Sequence, residues 1–427
     1  MFRGEARKPI KPMGTMRRCR GGKAAAACLA VGLAVPAVAT AAAGEPALSD
    51  GVVKIGVLTD MGGIYSDFTG RGAVIAAQMA AEDFARQGGP LARTIEVVDA
   101  DHQNKTDIGA ERASYWFDRD KVDVIVELVS TNVALAVMKV AEQKNKLALV
   151  SGSASLPITN EQCNANTVHW VYDTYALSSG TAKYVVGAGK KDWYFIAADY
   201  VFGATMVNDA SEVIAANGGR VVGVSKHPFP SLDFSSFLLQ AQASKADVIA
   251  LANGGQDTIN SVKQAAEFGI IGSRQTVLPM VMFLNDVHSL GLTAAQGLTL
   301  TEGFYWNRDE RTRAWSRRFF ERARKMPSMV HAGVYSSVLN YLTAVESTGT
   351  DEAATVMKRL KSVEIDDGLF KGRIRADGKF AHEMLLLEVK KPAESKEPWD
   401  YYHVKAVIPA EDAALPLAKS KCKLVQR

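Results

Sequence analysis

From residue 50 onward, short apolar runs rich in β-branched residues alternate with helix-length amphipathic stretches. Residues 54–59 (KIGVLT) have the apolar density of a buried strand. Residues 68–86 place Val74, Ile75, Met79 and Phe84 near a 3.6-residue period, which predicts a helix. A strand at 94–99 (TIEVVD) follows, then a helix over 106–119 with Thr106 as its N-cap. Residues 122–129 (VDVIVELV) read as a third strand, 132–145 as a helix and 147–150 as a fourth strand. The order then restarts with strands at 193–198, 220–225, 247–252 and 277–283, and helices at 203–217, 234–243 and 257–268. Strands alternating with helices predict βαβ units and parallel sheets.

The two series can be laid over each other. "KVDVIVELVSTN" (121–132) and "KADVIALANGGQD" (245–257) occupy the same third-strand position, and each ends in small polar residues where a helix begins. The expectation is two similar α/β lobes, each with a crevice at the carboxyl edge of its sheet, where open α/β sheets bind ligands. Past residue 300 the pattern changes to a charged helix at 311–326 and an amphipathic helix at 334–347. A turn-bounded strand follows at 372–379, with Asp377-Gly378 as the turn signal, and 383–389 is placed to pair with 401–407. The Pro-rich "KKPAESKEPWD" between that pair reads as an exposed loop.

The first 43 residues stand apart. Arg17, Arg18, Arg20 and Lys23 precede an uncharged, alanine-rich run, broken by Pro36, that ends in Ala41-Ala42-Ala43. This is the pattern of a secretory signal peptide, with Ala43 the last residue removed; the alternative is a transmembrane anchor, for which the run has few large apolar residues. Arg17-Arg18 leaves Sec and twin-arginine export both open. The leader accounts for the basic charge of the chain. Without its eight Lys and Arg and one acid, 42 basic and 45 acidic residues remain. With no basic stripe interleaved with aromatics, nucleic-acid binding is not expected. Cys19 and Cys28 fall in the leader, so Cys163 and Cys422 remain. In an exported chain they are expected to pair as a disulfide, the alternative being two free thiols.

Motifs for catalysis are missing. The chain has no G-x-x-x-x-G-K-[ST], no H-E-x-x-H and no G-x-S-x-G, and Gly70-Arg71-Gly72 lacks the third glycine of a dinucleotide fingerprint. No C-x-x-C occurs and the seven histidines are scattered, so no metal site and no cofactor is expected. What the crevices do contain is anion-holding chemistry. Ser130, Thr131 and Asn132 sit where a helix begins, a place whose free N–H groups favour a carboxylate. Ser151 and Ser153, after the next strand, are placed to face the same crevice. The competing reading is that Ser130 or Asn132 only caps its own helix. Aromatics gather in equivalent loops: Tyr65, Tyr172, Tyr175, Tyr200, Phe202, Phe283 and Trp306. Each singly more often packs the core than meets a ligand; several at equivalent loop positions shift the balance toward a pocket.

Several blocks resemble the periplasmic solute-binding proteins of the branched-chain amino acid (Leu/Ile/Val-type) ABC transporter family. They are "KIGVLTDMGGIYSDFTGRGAVIAAQMAAEDF", "ADYVFG", "ANGGQDTINSVKQAAEFGI" and "HAGVYSSVLNYLTAVE". The resemblance implies two Rossmann-like lobes joined by three crossing strands, a type I periplasmic binding protein. It would place residues 50–172 with 304–380 in one lobe and 173–303 with 381–427 in the other. It implies a periplasmic, monomeric, non-catalytic protein that traps a small molecule and hands it to a membrane permease. The family's carboxylate-binding segments fall on Ser130-Thr131-Asn132 and on Gly152, Ser153, Ala154 and Ser155. Its second-lobe turn falls on Tyr200 and Phe202, and its ammonium-binding acid on or near Asp257. The loop Gly254-Gly255-Gln256-Asp257 differs from that of the amino-acid binders. "WDYYH" and "KSKCKLV" resemble a subgroup that includes aromatic-acid binders. The expected ligand is therefore a small carboxylate with an apolar or aromatic body, benzoate- or cinnamate-like. Branched-chain amino acids, short amides and a sensing role are the alternatives.

Overall fold

The computed structural model describes residues 48–425; the leader assigned to residues 1–43 lies outside them. The chain runs β1 (Val53–Thr59), α1 (Gly70–Arg86), β2 (Ile95–Asp101), α2 (Thr106–Tyr115), β3 (Val124–Glu127), α3 (Thr131–Gln143), β4 (Leu147–Val150) and β5 (Thr167–His169). It continues α4 (Thr174–Gly187), β6 (Asp192–Ala198), α5 (Val201–Ala216), β7 (Arg220–His227), α6 (Ser235–Ala243), β8 (Val248–Ala252), α7 (Gln256–Glu267) and β9 (Thr276–Pro279). Next come α8 (Leu284–Leu290), α9 (Leu292–Ala295), β10 (Thr299–Glu302), α10 (Glu310–Ala323), α11 (Met329–Thr348) and α12 (Ala353–Ser362). The chain closes with β11 (Glu364–Asp366), β12 (Lys371–Ile374), β13 (Phe380–His382), β14 (Met384–Val389), β15 (Tyr402–Ile408) and α13 (Ala410–Ala413).

Two parallel sheets carry the fold. The first has the order β2-β1-β3-β4-β5 and the second β7-β6-β8-β9. The winding is the same in both: the first strand of each series lies between the second and the third. That arrangement puts a topological switch point beside β1 and β3 in one lobe and beside β6 and β8 in the other, and ligands bind open α/β sheets outside such points. The central strands are buried along their length, as expected where helices cover both faces. The late helices α10 and α11 return to pack on α1, whereas β14 and β15 add an antiparallel sheet, β10-β14-β15, against α4. β14 pairs with β15, as the sequence suggested, and the structure makes the pairing antiparallel.

Some boundaries differ from the pattern. Lys105, not Thr106, is the residue before α2, and it makes no side-chain cap. The strand expected over 277–283 ends at Pro279, which has no N–H to continue a ladder. In the Pro-rich loop Trp399 is buried, its ring stacked on His288 at 3.8 Å. Cys163 and Cys422 come together with Cα atoms 5.6 Å apart, across 259 residues of sequence. No helix among the described residues is long and apolar enough to cross a membrane.

Candidate functional site

The carboxyl ends of the two sheets face each other, and the loops leaving them meet. Tyr65, from the loop after β1, reaches Tyr200 at the start of α5, with hydroxyl oxygens 2.5 Å apart. The Gln256 backbone N–H at the start of α7 donates to the Ile64 carbonyl at 3.2 Å. The lobes are therefore closed on one another. Gly255 makes the approach possible: a Cβ there would collide with Ile64 O, and its φ of +59° disfavours a side chain in any case.

Between these contacts lies a small cavity of about 20 Å³. Of the residues singled out from sequence, Tyr65, Thr131, Gly152, Ala154, Tyr200, Phe202 and Gly254 line it. Tyr172, noted from sequence only as one aromatic of the group, also lines it, with Phe68, Val129 and Val281. No Asp, Glu, Lys, Arg or His is in this wall.

Its polar equipment is on the first lobe. Ser130 precedes α3 with an extended backbone, and its side chain caps no helix N–H. The cap-only reading of Ser130 thus has no counterpart in the geometry. The first-turn N–H groups of α3 have no intrahelical acceptor, and they begin at Thr131 on the cavity wall. Thr131 Oγ1 lies 2.8 Å from Ser155 Oγ and 3.1 Å from Ser153 Oγ, a buried hydroxyl chain. Tyr172 donates its hydroxyl to the Gly152 carbonyl at 2.5 Å, fixing the segment after β4 at the cavity wall.

The remaining sequence candidates sit outside the wall. Ser130, Ser151 and Ser153 are buried behind it, and Asn132 is half-buried on α3. Tyr175 is half-buried on α4 and outside this wall. Phe283 forms a second aromatic layer, stacked at 4.1 Å behind Phe68. Asp257 is turned away, with Oδ1 accepting from the Ser231 N–H at 3.1 Å and Oδ2 4.0 Å from His227 Nδ1. Burial raises its carboxyl to about 6.

One residue beside the site went unread in the sequence. Glu127 ends β3 fully buried, and burial raises its carboxyl to about 8, with the nearby charge of Asp60 adding to the effect. Its φ is +84° and that of Leu128 is +63°, so the chain leaves β3 through two left-handed residues that are not glycine. The available signal was an acid inside the otherwise apolar end of "VDVIVELV".

The comparisons agree with this architecture. The sequence model described as "Periplasmic binding protein" matches residues 52–396. A periplasmic binding protein from Burkholderia mallei superposes with a TM-score of 0.86 at 48% identity, over 88% of this chain and 100% of its own. A branched chain amino acid ABC transporter periplasmic ligand-binding protein from Burkholderia xenovorans gives 0.79 at 39% identity, over 88% and 100%. An ABC transporter solute binding protein from R. palustris, solved in complex with benzoate, gives 0.77 at 18% identity, over 87% and 100%, and so shares the fold. No curated protein matches. Two parallel-sheet lobes closed over an interlobe cavity, together with the match over residues 52–396, establish that the chain belongs to the periplasmic binding proteins of ABC transporter type.

Proposed function

We propose that the chain captures a small carboxylate with an apolar or aromatic body and delivers it to a membrane permease. The observation that carries this reading is the cavity wall. It combines aromatic rings from both lobes with an uncapped helix N-terminus and no charged side chain. Helix N–H groups and the Thr131 hydroxyl suit a carboxylate, and Tyr65, Phe68, Tyr172, Tyr200 and Phe202 suit a flat ring. We assign residues 50–172 with 304–380 to the anion-holding lobe and 173–303 with 381–427 to the other. Ligand bridging both would favour closure over opening. Residues 1–43 act as the export leader in this reading. Fold relatives solved with benzoate and with 4-hydroxybenzoate lend chemical plausibility, though their 18% and 19% identity speaks for the fold alone.

Branched-chain amino acids are the second reading, favoured by the name of the 39% identical B. xenovorans protein. Against it stands the position of Asp257, which leaves an ammonium without a carboxylate partner in the wall. Thermal shift of the mature protein with benzoate, 4-hydroxybenzoate, cinnamate, leucine and valine separates the two. A ligand at 100 times its Kd adds about 2.7 kcal/mol of stability. Stabilisation by the aromatic acids alone is the expected result. Stabilisation by leucine or valine alone would replace it with the second reading.

A further inference from the structure

The two segments that face the proposed anion are joined at one residue, through its backbone carbonyl, and its side chain packs between them. The Glu127 backbone carbonyl accepts from Ser151 N–H at 2.9 Å and Gly152 N–H at 3.1 Å. Its carboxyl Oε2 accepts from Val129 N–H at 3.2 Å. Its Oε1 is buried with no partner in the structure, packed so closely against Gly152 that a Cβ there would collide with it. Val129 and Gly152 both line the cavity. The carboxyl group therefore stands directly behind two wall residues, one on each segment.

The groups facing Glu127 leave it without a counter-charge. Thr59 and Asp60 approach from the end of β1, and Tyr172 from the crossing after β5. Among the described residues no Lys, Arg or His forms an ion pair with it. His102, which faces Asp60, is held neutral by burial, at about 4. Of the remaining neighbours of the cavity, Asp257 bears on Tyr65 and Tyr200 from the second lobe. A buried acid with no counter-charge holds its proton, and the protonated form has an O–H to donate.

We propose that Glu127 is a positioning residue that sets the pH range of anion capture. Protonated, its carboxyl backs the two anion-facing segments with a hydrogen-bond donor and no charge; ionised, it repels the bound carboxylate. The inference rests on the carboxylate reading of the site and adds a switch to it.

Titration calorimetry with benzoate, which stays ionised throughout, on the mature protein and on Glu127→Gln from pH 6 to 9.5 tests this. Glutamine keeps the shape and a donor but cannot ionise. The wild-type Kd is expected to rise above about pH 8, approaching tenfold per unit where only the protonated form binds. Glu127→Gln is expected to bind at pH 6 like the wild type and to stay flat. A flat wild-type profile, or the same slope in Glu127→Gln, overturns the proposal. So does a Kd that falls with pH for leucine and is lost in Glu127→Gln, which would make Glu127 an ammonium partner. If neither benzoate nor cinnamate binds wild type at pH 6, the carboxylate reading itself has failed, and the two failures are told apart at that first point.

Discussion

Gly255→Ala is a direct test of whether ligand capture needs the closed arrangement. The substitution acts twice. Gly255 has φ +59° and ψ −134°, a backbone state for which glycine is the natural residue, so alanine is expected to destabilise the fold by about 1–3 kcal/mol. That cost falls on open and closed forms alike and lowers the melting temperature without changing affinity. The second effect exists only when the lobes meet. The new methyl collides with Ile64 O and comes within 3.1 Å of Tyr65 Cδ1, both on the opposite lobe. Relief requires the lobes to separate, which breaks the Gln256 N–H to Ile64 bond at 3.2 Å and the Tyr65–Tyr200 contact at 2.5 Å. At about 0.5–1.5 kcal/mol for each hydrogen bond, closure weakens by about 1–3 kcal/mol. At 1.4 kcal/mol per tenfold, that is roughly a 5- to 150-fold loss of affinity. Calorimetric titration with the best ligand of the panel reads this directly, and a thermal scan of the free protein reads the backbone effect separately. A variant that melts lower yet binds with unchanged Kd would refute the reasoning, because the Gly255–Ile64 approach would then be no part of the liganded form.

Three other outcomes are expected. Replacing Thr131 and Ser153 together by alanine removes the hydroxyl chain beside the α3 N-terminus and should weaken benzoate binding by about 1–3 kcal/mol; unchanged calorimetric affinity would remove these hydroxyls from the site. Glu127 stands at about 8 in the fold against an ordinary 4.5, so the folded state keeps a proton that the unfolded chain has lost between those values. Its stabilising contribution is complete below that window and falls as pH climbs through it, by up to about 1.4 kcal/mol per unit. Urea unfolding at several pH values should show a shallower decline for Glu127→Gln, with a residual slope from Asp209 and Asp286, each near 7; parallel curves would refute it. Cys163 and Cys422 are expected to be bonded in the exported protein. Reduction should then cost about 2–5 kcal/mol in denaturant unfolding, and two titratable thiols in unreduced protein would exclude the bond.

The parts of the fold legible in the sequence are those where burial imposes a period. β4 and the cores of β1, β6 and β8 stand out because helices cover both of their faces, so every position is apolar. β5 (TVH) and β10 (TLTE) are short and mostly polar, with no apolar run to mark them, and went unread, as did α4, whose apolar, small-residue surface has little amphipathic contrast. At the site, loop membership was legible and direction was not. Tyr200 and Phe202 reach the cavity, whereas Phe283, equally placed after a strand, lies one layer behind Phe68. Asp257 begins its helix as expected but points toward Ser231, a choice made by the loop after β7 and not by its own segment. Glu127 was hidden because its two-residue left-handed exit has no glycine to announce it.

The duplicated third strand explains why one lobe carries most of the polar chemistry. Lys121 and Lys245 open the two copies with φ of +60° and +58°, and the aspartate two positions on does the same work in each. Asp123 accepts from the Lys54 N–H at 2.9 Å, and Asp247 from the Lys191 and Asp192 N–H groups at 3.0 and 3.1 Å, clamping the start of the neighbouring first strand. The shared Lys-x-Asp-Val-Ile is thus a folding device, and what differs after it is where the lobes can diverge in function. In the second copy Asn253 uses its side chain inside its own lobe, bonding Ser261, Thr258 and His227, so that Gly254 and Gly255 present the cleft with little but backbone. In the first copy the same stretch supplies a buried acid and a threonine hydroxyl, while the helix that follows lacks a side-chain cap in both copies. An anion held by the first rim therefore needs the second mainly for aromatic cover and for the close approach that glycine permits. Changes at Thr131 should alter how tightly the anion is held and changes at Glu127 the pH range over which it is held, whereas changes at Gly255 should alter how completely the lobes shut on it.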